Sequence, residues 1–563
     1  MSSITRRHLI AGLASSGITA SSHAAILSSA QSAISPGQQA AFYDILRTPD
    51  NVTGFCGLDE MQELKRSGTQ WSGKGLSVRT TPSHDQLSIT IKASTALPTH
   101  IHLRWSAAVQ PETLVLGDAW ERSYGDLGWR CLVPERVLPW YFLTLQENSL
   151  HGYGVRTGGA ALCFWQLDPK GISLWLDVRN GGSSVALGDR ELLAATIVIR
   201  QAERGEDPLT SARAFCRTMC EAPRQPVTIY GSNDWYYAYG HNTAEQIVRD
   251  ADMMASLAPS RADRPFTVID DGWKNRKAFP DMAALASEIR HREVRPGLWI
   301  RPLQAGADTP PALLLPDARY GEHAGRRTGR AFDPTIPDAL EQVLAKVRQA
   351  RDWGYELIKH DFSTYELLGQ WGFEMQAQPT QPGWSLHDRS KTNAEVIRDL
   401  YRAIRKAAGD KTLLIGCNTI GHLGAGIFDA QRTGDDVSGK LWERTRRMGV
   451  NTLAFRLPQH QAFFAVDADC VPITRDTPWS CNRQWLDLVA RSGTVLLVSP
   501  EPAAMGAEQR SAVREAFRIA ASRPVASALD WQDETTPSEW RFHPGAEKSY
   551  NWYQDTGAWP FGI

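Results

Sequence analysis

Near residue 225 the hydropathy rhythm of this 563-residue chain changes, and that change limits the possible folds more than any other feature. Downstream of it, short apolar runs alternate with longer amphipathic ones. The runs near Val227–Gly231, Phe266–Asp270, Gly297–Arg301, Glu356–Asp361, Thr412–Cys417, Ile427–Thr433, Ala462–Val466 and Thr494–Ser499 read as strands. Between them Thr243–Ala258, Pro337–Trp353, Asn393–Ala408, Leu441–Met448 and Asn482–Ser492 read as helices. This alternation is the signature of βα units. About eight units over 226–524 predict a (β/α)8 TIM barrel, a fold that gathers its functional groups at the C-terminal ends of its strands. A doubly wound open sheet is the alternative, but no Gly-rich phosphate loop follows the first run.

Upstream the rhythm has period two. Leu87–Lys92, His100–Trp105 and Ile172–Asp177 alternate apolar and polar residues between turn residues, which predicts an N-terminal antiparallel β-sandwich over 36–205. Residues 206–225 read as a helical linker with Ala212, Phe215, Cys216 and Met219 on one stripe, and 525–563 as a short C-terminal extension. The predicted fold class is therefore multidomain, β followed by α/β. Residues 1–25 pair Arg6-Arg7 with a short Ala/Gly-rich apolar run and a small-residue site near Ser22-His23-Ala24. They read as a twin-arginine signal, so the expected location is periplasmic or secreted, a basic tail being the alternative. That run is too short to span a bilayer, so no membrane insertion is expected.

With 42% hydrophobic and 22% charged residues the composition is that of a globular protein. A formal net charge of −1 argues against nucleic acid as a partner. Twenty Trp residues lean toward a carbohydrate ligand, because indoles stack on the apolar faces of sugar rings. Eight cysteines are too sparse for a disulfide scaffold, and Cys216 and Cys220 are expected as two buried thiols. No Cys/His cluster has zinc-like spacing, so neither a metal nor a cofactor is expected.

The strand ends carry the chemistry. The run Tyr355-Glu356-Leu357-Ile358-Lys359-His360-Asp361 puts Lys359 and Asp361 on one face, since residues i and i+2 of a strand point the same way. A nearby ammonium keeps a carboxylate ionised. Other strand ends supply Asp270 and Asp271, Trp299 and Arg301, Asn418, Arg432 with Asp435-Asp436, and Asp467-Ala468-Asp469. Trp235, Tyr236, Trp273 and Trp299 are expected to flank the mouth. Any one Asp at a loop start is more often a turn or cap residue. Recurrence at the same end of many strands carries the argument. Two carboxylates delivered by two strand ends are what a retaining glycosidase uses.

Taken in order, Ser232-Asn233-Asp234-Trp235-Tyr236, Asp270-Asp271-Gly272-Trp273, Lys359-His360-Asp361, Gly416-Cys417-Asn418, Arg432-Thr433-Gly434-Asp435-Asp436 and Asp467-Ala468-Asp469-Cys470 resemble the motifs of glycoside hydrolase family 36. That is the α-galactosidase family of the clan shared with family 27. The resemblance covers about residues 226–500 and implies Asp361 as nucleophile and Asp436 as acid/base, with Asp435 a competitor for the second role. It also implies that Asp270, Asp271, Lys359 and Arg432 hold sugar hydroxyls, with Trp299 and Asn418 on the pocket wall; Trp235 and Arg301, placed at the mouth by the strand ends, are further candidate substrate contacts. His360 stands where the family has an apolar or aromatic residue, the large C-terminal sandwich looks reduced, and Asp435 is expected to raise the pKa of Asp436. The implied reaction is release of terminal α-galactosyl residues from a carbohydrate substrate with retention. The rival readings are α-N-acetylgalactosaminidase, β-L-arabinopyranosidase, a transglycosidase, or a non-catalytic carbohydrate-binding protein. A metal-dependent hydrolase is a weaker rival, since His360 and His422 are a poor ligand set. Oligomeric state is left open.

Overall fold

The computed structural model describes residues 41–57, 60–260, 264–323 and 329–559, the His323 side chain excepted. The expected export signal lies outside the described residues.

Two antiparallel sheets occupy the period-two region. One has six strands, in the order Met61–Glu63, Asn51–Phe55, His100–Ser106, Gly171–Asp177, Leu162–Asp168 and Leu138–Pro139. The other has eight: Lys65–Ser67, Gln70–Gly73, Leu76–Pro82, Gln86–Ala93, Gly188–Arg200, Ser149–Val155, Tyr141–Gln146 and Leu114–Gly117. Alternation buries Ile101, Leu103 and Trp105 from the first and Leu87, Ile89 and Ile91 from the second, all in one apolar core. Trp165 lies edge-on to Phe142 at 5.6 Å, and Phe142 stacks on Tyr153 at 4.9 Å. The linker helix Pro208–Met219 starts at Asp207, whose carboxylate accepts the Thr210 amide at 2.9 Å. It buries the predicted stripe Ala212, Phe215, Cys216 and Met219.

The second half holds one parallel sheet of nine strand segments. Tyr230–Asn233, Phe266–Ile269, Arg295–Ile300, Leu357–His360, Leu413–Gly416, Ala430–Arg432 and Ala465–Asp467 follow in sequence order. Leu496–Pro500 pairs with the first of these and with Val471–Ile473. The Val495 amide also donates to Val466 O at 2.9 Å. The first, sixth and seventh strands begin about three residues later than their apolar runs suggested. Those runs include residues that pack without pairing: Phe428 sits against Tyr401 at 4.8 Å and His360 at 5.7 Å. Val471–Ile473 was not foreseen. It follows Asp469, whose φ of +78° breaks the seventh run.

Helices fill the intervals between strands. Asn393–Ala408 has the predicted bounds, fixed by a capping box in which Thr392 and Glu395 accept each other's backbone amides. The predicted Leu441–Met448 helix is instead Trp442–Thr445, a π-helical turn at Arg446–Val450 and Asn451–Arg456. Met282–His291 and Ala507–Ala521 are further helices of this half. The C-terminal extension forms a three-stranded antiparallel sheet, Val525–Ala528, Glu539–His543 and Ala546–Ser549.

Candidate active site

Strand alternation builds the site. A separate apolar cluster takes Val268, Leu357, Ile415, Ala430 and Ala465 from five of the parallel strands. Two residues further along, on the same faces, stand Asp270, Lys359, Cys417, Arg432 and Asp467. The inward column thus turns from apolar to ionic at the C-terminal ends of four of these strands, with the Cys417 thiol at the fifth. The intervening residues face the helices: His360 is buried against Tyr401 and Phe428 and bonds Ser363, with burial pushing its pKa down to about 4. Its departure from the family motif therefore leaves the site untouched.

Asp361 follows Lys359 on the inward side and is 9% exposed. Phe362, at φ +67°, turns the chain so that its own amide reaches Asp361 Oδ1 at 2.7 Å. The Asn418 amide donates to the same oxygen at 2.9 Å, and Trp299 Nε1 donates to Oδ2 at 2.9 Å. Burial alone would raise the pKa of this carboxyl. The charges of Arg122 and Lys359, with the Trp299 and Asn418 hydrogen bonds, outweigh burial and hold it below the usual carboxylate value.

Asp436 is the more open carboxylate, its side chain 42% exposed. Arg432 donates to its Oδ1 at 2.9 Å, and Arg122 Nη1 lies 3.5 Å from the same atom. Burial and the neighbouring charge of Asp361 favour its protonated form, but Arg432, Arg122 and Lys359 outweigh them and lower its pKa. The expectation that Asp435 would raise it is overturned, because the environment of Asp436 is dominated by cations. Asp435 is turned aside: Arg444 holds its Oδ2 at 2.6 Å and Arg122 approaches Oδ1 at 3.4 Å.

A second group lies around Asp270. Lys359 Nζ donates to Asp270 Oδ2 at 2.9 Å and Asn233 Nδ2 to the same oxygen at 2.8 Å. Asp234 accepts the Asp270 amide at 2.7 Å and is also bonded by Asn242. Burial, then the charge of Asp270, pushes Asp234 up to about 7. Asp271 stands beside this group, with its carboxylate on the Gly272 amide at 2.9 Å. Arg432 also binds Asp469 at 2.6 Å, and Asp469 accepts from Tyr236 and from the Val437 amide.

The other sequence-marked residues are placed differently. The Asn418 side chain is occupied by Glu121 and the Tyr365 amide, so only its backbone faces Asp361. Arg301 pairs with Glu366 at 2.6 Å and lies over the Phe362 ring. Trp235 packs against Tyr239 with ring centroids 5.6 Å apart. Trp273 bonds Trp299 O at 2.8 Å and meets Trp353 edge-on at 5.9 Å. Among the described residues no group of three or more His, Cys, Asp or Glu is arranged to hold a metal ion.

One contribution that no sequence motif marked comes from the antiparallel half. Ser123 donates its amide to Thr433 O at 2.9 Å, and the Asp435 amide donates to Ser123 O at 2.8 Å, so residues 121–124 run alongside the Arg432–Asp436 strand end. This pairing delivers Arg122 to both carboxylates. The guanidinium also lies over the rings of Trp371 at 5.5 Å and Tyr124 at 5.8 Å. A cavity of about 220 Å³ lined by Arg122, Tyr124 and Phe373 opens beside it. Glu121 accepts from Asn418, Tyr124 and the Gly372 amide, and so ties the same segment to the Asn418 loop.

No family model matches the chain. Solved structures share its fold. An α-galactosidase from Thermus thermophilus, in complex with p-nitrophenyl α-D-galactopyranoside, superposes with a TM-score of 0.58 at 19% identity, covering 84% of this chain and 97% of that one. A family 36 α-galactosidase from Geobacillus stearothermophilus, in complex with 1-deoxygalactonojirimycin, gives 0.54 at 12% identity over 84% and 71%. An α-galactosidase from Lactobacillus brevis gives 0.55 at 11% identity over 87% and 74%. The chain thus has the fold of family 36 α-galactosidases, an antiparallel β region followed by a parallel α/β sheet.

Proposed function

We propose that this protein is a retaining exo-glycosidase that releases terminal α-galactosyl residues from oligosaccharides or glycoconjugates. The observation that carries the reading is the pair Asp361 and Asp436, unequal in setting and sharing the charge of Arg122. Asp361 is buried and held ionised by three donors and two cations, as a nucleophile needs. Asp436 is open to a leaving group and feels the charge of Asp361, so loss of that charge on ester formation lowers its proton affinity further. That is the direction required when an acid becomes a base in the second step.

In this scheme Asp361 attacks the anomeric carbon while protonated Asp436 gives its proton to the leaving oxygen. Water activated by Asp436 then attacks the covalent ester and restores the α configuration. Asp270 and Asp271 accept hydroxyl protons of the sugar, with Lys359 and Arg432 beside the reacting carbon. The nine segments would close as a (β/α)8 barrel, the seventh strand being split at Asp469; the Val495–Val466 hydrogen bond supports this closure. Export by the twin-arginine route remains part of the proposal.

The test is turnover of aryl α-glycosides, with the first-formed product anomer followed by NMR. Release of α-galactose supports the reading, and β-galactose would refute retention. Asp361→Asn should abolish turnover at an unchanged melting temperature. Asp436→Asn should slow natural α-galactosides far more than aryl ones, and equal losses would remove Asp436 from the acid role.

A further inference from the structure

The strand Arg295–Ile300 works on two faces. Trp299 sends its indole N–H to Asp361, while its neighbours Leu298 and Ile300 line a cavity of about 430 Å³ on the opposite side. Helix Pro337–Asp352 supplies another wall through Lys346 and Gln349, and Trp353 stands at its end. Trp273 and Trp353 form an aromatic corner, with ring centroids 5.9 Å apart and planes at 85°. The volume lies within the range of small-molecule sites, and the lining combines apolar walls with a few convergent polar groups.

The charge in this cavity is one-sided. Lys274, Arg276, Arg301 and Lys346 line it, and among the described residues no Asp or Glu does. Among the described residues, only Arg301 of these four has a carboxylate partner, Glu366, at 2.6 Å. Lys346 is spent on the carbonyls of Pro302 and Gln304, and Lys274 on the Gln304 side chain. Arg276 makes no hydrogen bond or ion pair among the described residues. Burial pulls Lys346 down to about 8; the charge of Glu366 opposes this shift, and those of Lys274 and Arg301 add to it. Indole faces, the Gln349 amide and cations that outnumber their carboxylate partners together suit a ring with an apolar face, hydroxyl groups and one anionic substituent.

We propose that this cavity is a second binding site, separate from the mouth, for a pyranose bearing one anionic group: a hexuronate or a sulfated or phosphorylated hexose. Its reading is independent of the reaction at Asp361. Calorimetry on the full chain, with excess galactose present to occupy the mouth, tests it with galacturonate, galactose 6-sulfate and galactose 6-phosphate as probes. At least one should bind, more weakly as salt is raised. Arg276→Gln should weaken that binding at least tenfold while p-nitrophenyl α-galactoside turnover stays within twofold of wild type. Trp353→Ala should weaken it similarly, and the surface change at Arg276 carries the test if the Trp353 variant fails to fold. A trigalacturonate that binds tenfold tighter than the monosaccharide would identify the ligand as a unit of a longer chain, and equal affinity a free sugar; both uphold the site. Absence of heat with all three probes, equal affinity for neutral glucose or for benzoate, or an unchanged affinity in Arg276→Gln would overturn it.

Discussion

Replacing Arg122 by Met removes a charge that reaches both candidate catalytic carboxylates from the antiparallel half of the chain. At the 3.5 Å separating Arg122 Nη1 from Asp436 Oδ1, two unit charges interact by about 1 kcal/mol in water and about 5 kcal/mol at an effective dielectric of ~20. With the Asp436 side chain 42% exposed, screening favours the lower part of that range, about 2 kcal/mol, or roughly thirtyfold in proton affinity. The sign follows from the role of Arg122: it lowers the pKa of Asp436, so its loss raises it. A general acid must be protonated in the free enzyme, so the alkaline limb of kcat/KM should move to higher pH by more than one unit. The acid limb should move the same way, because Arg122 also helps hold Asp361 ionised. The two limbs belong to the interacting pair rather than to one residue each. Full pH profiles on an aryl α-galactoside, with far-UV circular dichroism as a folding control, provide the assay. A folded Arg122→Met variant with both limbs in place, or with the alkaline limb moved to lower pH, would refute the field argument.

Other expectations follow from the group around Asp270. Gly272 sits at φ +112°, and a Cβ there would lie 2.2 Å from Asn242 Oδ1 and 2.7 Å from Gly240 O. Gly272→Ala should therefore displace Asn242 from Asp234, raise KM for galactosides and cost about 1–2 kcal/mol in urea unfolding; unchanged KM and stability would remove this constraint. Asp234 is pushed up to about 7 when folded, so between its ordinary value and 7 the native state holds a proton that the unfolded chain has lost, and stability falls as pH rises through that window. Asp234→Asn lacks this loss, so its stability relative to wild type should improve by on the order of 2 kcal/mol between pH 5 and 8. Urea unfolding at both pH values checks it, and a flat or opposite trend counts against a buried, protonated Asp234.

Local sequence determined the parts whose signal is carried by neighbours along the chain. The period-two runs fixed which faces of the antiparallel strands are buried. Alternation in Leu357-Ile358-Lys359-His360-Asp361 correctly separated inward Lys359 and Asp361 from outward His360, because a strand turns each successive side chain by a half-turn. Thr392 with Glu395 set the start of Asn393–Ala408, since a capping box is made within four residues. The tertiary structure decided what depends on partners far apart in the chain. Apolarity at Val227, Ile427 and Ala462 did not distinguish residues that pair from those that only pack, so strand starts drifted. The π-helical turn at Arg446–Val450 and the break at Asp469 left no periodic trace. Arg122 had no motif to mark it: Ser123 meets Thr433 only when the two halves pack together, 310 residues apart in sequence. The same distance explains the misjudged proton affinity of Asp436. Its neighbour in the chain, Asp435, suggested a negative setting, but Coulomb energy depends on spatial separation, and Arg432 and Arg122 set the field that this carboxylate feels.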